Sequence, residues 1–139
     1  MRQDNTDRYE SVKRIGCYFL FPWMMLSMSF KLFHFGPSET FYVYPLPQFM
    51  LTMVPYVEGI GGVLMLLGAK NEKFRAIGGI ILIPLFFGAV ASHIVFGWLH
   101  LFNGVDEAKY LTIPSFFSLC LVSWISVKPI LKLLRQSFG

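Results

Sequence analysis

The sequence predicts an all-α membrane protein: an antiparallel bundle of four transmembrane helices, kinked by Pro22, Pro55 and Pro84. Hydrophobic residues make up 55% of the 139 residues and charged residues only 14%, whereas ordinary soluble domains have about 45–50% and about 25%. Four segments reach the roughly 20 apolar residues that a spanning helix needs. No segment alternates apolar and polar residues as a membrane strand would, so the pattern excludes a barrel.

Each predicted helix has its own charge pattern. In chain order, the helices cover about residues 15–35, 46–69, 76–102 and 111–131. The first carries one charged residue, Lys31, and the second carries one, Glu58. The third has no acid, Lys or Arg but contains His93 and His100, and the fourth is uncharged until Lys128. Together they form one domain over 15–131.

The basic residues predict the orientation. Ten of the twelve lie on one side of the predicted bundle: Arg2, Arg8, Lys13, Arg14, Lys70, Lys73, Arg75, Lys128, Lys132 and Arg135. The positive-inside rule then places the N-terminal segment 1–14 and the tail 132–139 in the cytoplasm. The net charge of +4 indicates membrane topology and contact with anionic lipid rather than nucleic acid.

The first segment has a competing interpretation as a secretory signal peptide. Residues 2–14 would form its charged region, and Ser27-Met28-Ser29 a poor cleavage site. The apolar stretch is longer than that of a typical signal, so a retained helix is the expectation.

Three ionisable residues fall inside the predicted spans, where charge is costly and marks candidate functional positions. Lys31 and His93 lie roughly 24–26 Å above the cytoplasmic helix ends and Glu58 roughly 16 Å above them. Side chains lean toward the N-terminus of their own helix, so Lys31 and His93 lean down and Glu58 leans up. All three are expected to converge in the outer half of the bundle, with Glu58 paired to Lys31 or His93.

Two simpler interpretations stay open. Lys31 is close enough to the outer headgroups to snorkel toward them. A Glu58–Lys31 pair can also be a purely structural clamp.

The sequence predicts no metal, haem or nucleotide site. His93 and His100 share a helix face but stand roughly 10 Å apart, too far for one metal ion. No His/Cys cluster has metal-ligand spacing, and no nucleotide-binding, hydrolase, kinase or zinc-protease motif is present.

Three ordered stretches resemble the DoxX-like family of small four-helix membrane proteins. They read SFKL at 29–32, PYVEGIGG at 55–62 followed by LMLLG at 64–68, and GAVASH at 88–93. The resemblance extends over roughly 15–124. It implies a membrane subunit or partner of a redox system that passes electrons to quinone, in a bacterial inner membrane. Distant relatives act instead in maturation or cargo handling.

The first functional hypothesis is therefore a quinone-linked redox subunit. Glu58 and His93 would deliver protons and Lys31 would polarise a carbonyl, while electrons would come from a redox partner protein. The predicted quinone-binding residues are Tyr56, Trp98 and His100.

The alternative is a non-catalytic assembly, chaperone or binding protein, whose charged cluster holds a partner helix, a lipid headgroup or a peptide. A third hypothesis is a small permease or ion pathway, which with four spans would require a homo-oligomer.

Overall fold

The computed structural model describes residues 2–34, 44–99 and 108–138, without the side chains of residues 2–7. Its helices are α1 (Arg2–Leu32), α2 (Gln48–Gly68), α3 (Glu72–His93) and α4 (Ala108–Phe138), and a π-helical turn (Ile94–Trp98) extends α3. No strand occurs within these described ranges. The predicted all-α fold with four helices is confirmed.

All four helices are long and apolar enough to cross a membrane. Their outward surfaces are also apolar, since large hydrophobic side chains lie exposed along the bundle, among them Ile15, Phe19, Phe87, Ile113 and Phe117. In water such a surface would be unfavourable, whereas lipid tails are as apolar as these side chains. The chain therefore has the form of an integral membrane protein.

Small residues let neighbouring helices approach closely. On α2, Gly59 packs against Met28 of α1 and Gly62 packs against Met24, where an added Cβ would lie 2.8 Å from the Met24 Cβ. The later residue of α2 thus meets the earlier residue of α1, the order expected for helices that run in opposite directions. Glycine at these positions removes the side chain that would hold the backbones apart.

A continuous apolar core lies between the helices. Its fully buried members come from all four of them: Cys17, Leu20, Met24, Met65, Leu82, Val122 and Ile125. The three prolines predicted to kink the helices lie inside α1, α2 and α3, and α4 contains two more, Pro114 and Pro129. The kinks themselves stay a prediction.

One end of the bundle is held by charged side chains. We call it the basic end: it comprises the first half of α1, the α2–α3 turn and the last turns of α4. The Arg75 Nε donates to the Gly68 carbonyl at 2.9 Å, and its Nη1 donates to the Glu10 carboxylate at 3.0 Å. The helix α1 begins at Arg2, well before residue 15, where the predicted apolar segment begins. Its N-terminal part is joined to α3 by the contact of Glu10 with Arg75.

Candidate functional site

A cavity of about 610 Å³ lies away from the basic end and is lined by all four helices and by the segment that precedes α2. Most of its lining is aliphatic or aromatic. The polar side chains on its wall are Ser27, Lys31, Tyr44, Glu58, Ser92, His93, Ser115 and Ser118. Ligand pockets commonly have volumes of about 300–1,000 Å³ and combine apolar walls with a few convergent polar groups. This cavity is the candidate functional site.

A salt bridge between α1 and α2 forms one side of the cavity. The Lys31 ammonium donates to Oε1 of Glu58, and the Ser27 hydroxyl donates to Oε2 at 3.1 Å. Ser27 and Lys31 are four residues apart, so they share one face of α1. The side chains of Lys31 and Glu58 are only 16% and 5% exposed. Both carboxylate oxygens are therefore hydrogen-bonded, and a buried negative charge has its counter-charge beside it.

A chain of three polar side chains forms another part of the wall. The Tyr44 hydroxyl lies 2.5 Å from Nδ1 of His93, and Nε2 of His93 lies 3.1 Å from the Ser115 hydroxyl. Burial raises the pKa of Tyr44 well above its usual value, so its hydroxyl keeps its proton. With hydrogen on Nε2 of His93, Tyr44 donates to Nδ1 and Nε2 donates to Ser115.

The surroundings fix Tyr44 in this position. Its ring packs against Phe96 of the π-helical turn, with a centroid separation of 4.9 Å, and meets the His93 ring edge-on at 5.7 Å. Tyr44 and His93 are both buried. The chain from Ser115 through His93 to Tyr44 thus links α4, α3 and the segment before α2 along one hydrogen-bonded path.

A third polar contact ties α1 to α4 across the cavity. The Trp23 indole donates to the Ser118 hydroxyl at 3.1 Å, and that hydroxyl donates to the Pro114 carbonyl at 2.8 Å. All three residues line the cavity, so the Trp23 indole forms part of its wall.

The structure brings Lys31, Glu58 and His93 to one cavity. Of these three, Lys31 and Glu58 contact each other. Lys31 and Glu58 are paired, as one of the two predicted arrangements requires. His93 is hydrogen-bonded to Tyr44 and Ser115 instead. Whether any of the three acts in catalysis stays a prediction.

Two of the predicted quinone-binding residues do not line this cavity. Tyr56 is 51% exposed and Trp98 58% exposed. Tyr56 precedes Glu58 by two residues, which is roughly 200° around a helix, so the two side chains face opposite ways. The Trp98 indole donates to the Thr112 hydroxyl at 3.2 Å. Neither residue lines the cavity beside Glu58, and His100 lies outside the described residues, so a role of these three in binding a quinone stays a prediction.

Sequence reasoning missed the hydroxyl and indole groups of the site. Ser27 had a usable signal, because it lies one turn before Lys31 on the same face. Tyr44 had none, because it lies outside the helices and no periodicity fixes its position. Ser115 and Ser118 are ordinary in an apolar helix, where serine commonly bonds back to the carbonyl four residues earlier.

Within the ranges that the structure describes, no three His, Cys, Asp or Glu side chains come close enough to hold a metal ion. Comparisons of the chain with protein-family models, with curated proteins and with solved structures return no match. The cavity and its side chains are therefore the basis for a functional assignment.

Proposed function

We propose that this chain is a DoxX-like membrane subunit or partner of a quinone-linked redox system, and that its cavity binds a quinone ring. The observation that carries the proposal is one cavity of about 610 Å³ that combines apolar walls with the Lys31–Glu58 pair and the buried Tyr44–His93 pair. The family resemblance of the three stretches at 29–32, 55–68 and 88–93 supports the same assignment.

The donor set of the cavity fits a quinone. A quinone ring is flat and apolar and carries two carbonyl oxygens that accept hydrogen bonds. The Lys31 ammonium is a donor at the cavity wall. The Tyr44 hydroxyl is a second donor when His93 carries its hydrogen on Nδ1 and donates it to the Tyr44 oxygen. Phe30, Phe49 and Leu85 supply apolar surface for the ring and its tail. A carboxylate alone would repel a carbonyl oxygen, and the paired Lys31 offsets that charge.

When bound, a quinone acts as an acceptor that takes up two electrons and two protons to become a quinol. In this proposal Glu58 holds or releases a proton at Oε1 or Oε2, and Lys31 and Ser27 set the stability of its charge. His93 takes a proton at one ring nitrogen and releases one at the other, between Ser115 and Tyr44. The electrons come from a separate redox protein that docks on the membrane subunit.

The proposed location is a bacterial inner membrane with both termini in the cytoplasm. The basic residues of the α2–α3 turn and the end of α4 support this orientation through the positive-inside rule. The cavity would then open in the outer half of the bilayer.

Tryptophan fluorescence tests quinone binding directly. Trp23 lines the cavity, whereas Trp98 and Trp124 do not. We expect a short-chain quinone to quench the purified protein in a saturable way. Trp98→Phe and Trp124→Phe should keep the saturable component, and Trp23→Phe should lose it. Saturable quenching that persists in Trp23→Phe, or none in the wild type, would overturn the proposed site.

The second candidate function is a binding or assembly protein. The observation that favours it is the completeness of the Lys31–Glu58–Ser27 contact, which joins α1 to α2 without any ligand. The cavity would then hold a lipid tail or a side chain of a partner helix. Loss of a co-purifying partner in Lys31→Met or Glu58→Gln, without any quinone in the wild type, would favour this function.

A further inference from the structure

A second recess lies at the basic end, far from the cavity. It is a groove of about 400 Å³ on the last turns of α4, lined by Lys128, Leu131, Lys132, Arg135 and Gln136. The three cations follow one another at spacings of four and three residues, so they lie on one helix face. Among the described residues, no acidic side chain lines the groove.

More positive charge lies directly beside the groove. The Tyr9 ring is contacted by two ammonium groups: Lys128 lies 4.9 Å and Lys13 lies 4.4 Å from its centroid. Lys13 is almost completely buried, at 1% exposure, and shares the Glu10 carboxylate with Arg75. The charge of the groove therefore continues into the bundle rather than ending at its surface.

Among the side chains that the structure describes, the carboxylates of this region do not balance the cations. The cations are Lys13, Arg75, Lys128, Lys132 and Arg135. Two carboxylates contact them: Glu10, between Lys13 and Arg75, and Glu72, 2.7 Å from the Lys132 ammonium. Within the described ion pairs, the basic end keeps an excess of positive charge. Such an excess at a partly buried site favours a bound anion.

We propose that this groove binds the phosphate of an anionic lipid headgroup. Lys128 and Arg135 contact the phosphate oxygens, Arg135 through its planar fork of donors. The Tyr9 ring that Lys128 contacts packs edge-on against Trp124, with ring centroids 5.6 Å apart, and such aromatic side chains favour the level of the headgroups.

Apolar side chains in and beside the groove favour a lipid over free phosphate. Leu131 lines the groove and is half exposed, and Leu134 is exposed beside it. These side chains give an acyl chain a surface to follow along α4 once its phosphate is held. Inorganic phosphate would gain nothing from that surface. This site is independent of quinone binding in the cavity.

Thermal unfolding of the full chain in detergent micelles tests the proposal. The probes are phosphatidylglycerol, phosphatidylcholine and inorganic phosphate, each titrated into the micelles. We expect phosphatidylglycerol to raise the Tm in a saturable way, and the other two to leave it nearly unchanged. The double variant Lys128→Gln/Arg135→Gln should weaken the phosphatidylglycerol response by about tenfold or more, since each basic group near a lipid surface contributes about 1 kcal/mol.

The matched control is Lys70→Gln/Lys73→Gln. It removes the same charge at the same end of the bundle, from two exposed residues: Lys70 in the α2–α3 turn and Lys73 in the first turn of α3. This control should keep the phosphatidylglycerol response. Equal weakening in both double variants would show diffuse attraction to the membrane and overturn a defined site. An equal response to phosphatidylcholine, or the same shift with inorganic phosphate, would also overturn the lipid assignment.

Discussion

Removing either charge of the Lys31–Glu58 pair should destabilise the protein far more than removing both. In Lys31→Met, the Glu58 carboxylate keeps the Ser27 hydrogen bond but loses its counter-charge. In Glu58→Gln, the Lys31 ammonium loses its carboxylate. The double variant Lys31→Met/Glu58→Gln removes both charges of this pair and leaves neither without its partner, so the two losses should not add.

The burial of the pair sets the size of this effect. Two unit charges 4 Å apart attract by about 4 kcal/mol at an effective dielectric constant of 20, and breaking a buried pair costs about 3–5 kcal/mol. Because Lys31 is still 16% exposed, we expect about 2–4 kcal/mol for each single variant and a coupling energy of about 2–3 kcal/mol. The Lys132–Glu72 pair, with side chains 63% and 47% exposed, should show less than about 1 kcal/mol.

A double-mutant cycle on each pair, measured by reversible unfolding in detergent micelles, gives both coupling energies. The Lys132–Glu72 cycle is the control, since it joins the same two residue types at a wet surface. A Lys31–Glu58 coupling no larger than this control would refute the reasoning. It would mean that Lys31 reaches the headgroups and that the cavity has no buried ion pair.

Three further substitutions test the packing of the bundle and the polar chain of the site. Gly79→Ala should lower the unfolding free energy by about 1–3 kcal/mol, because its Cβ would lie 2.6 Å from the Ser126 hydroxyl. Gly88→Ala, whose Cβ would meet nothing within 4 Å, should change it by no more than about 0.5 kcal/mol; equal losses in the two variants would contradict the packing. Tyr44→Phe removes the bond to His93 and should cost about 1 kcal/mol and weaken quinone binding in the fluorescence titration. A variant with unchanged stability and affinity would exclude Tyr44 from the site.

The sequence was sufficient to predict the four helices and to place Lys31, Glu58 and His93 in one region of the bundle. Apolar length predicts a spanning helix because the bilayer sets the number of residues. The depth of a residue in the membrane follows from the rise of 1.5 Å per residue and from the lean of its side chain toward the helix N-terminus. Depths of residues on different helices can then be compared. These two rules predicted that the three residues converge and left open whether Lys31 or His93 pairs with Glu58; the structure shows the Lys31–Glu58 pair.

The partners of His93 and Arg75 could not be predicted in this way. Tyr44 reaches His93 from outside the helices, where no repeat fixes a side chain's height or direction. Glu10 and Arg75 are 65 residues apart, and nothing in the local sequence says which acid a buried arginine meets. For Tyr56, helix geometry supplies a criterion that the prediction did not use: two residues turn a helix by roughly 200°, so Tyr56 and Glu58 lie on opposite faces of α2.

The most direct test of quinone binding is the quinone content of the purified protein. The chain is purified in mild detergent and extracted with organic solvent, and quinone is measured by ultraviolet absorption and mass, beside Glu58→Gln and the exposed control Glu72→Gln. We expect about one quinone per chain in the wild type and in Glu72→Gln, and a loss in Glu58→Gln. Absence of quinone from the wild type, or equal amounts in all three proteins, would contradict a quinone site built on Glu58.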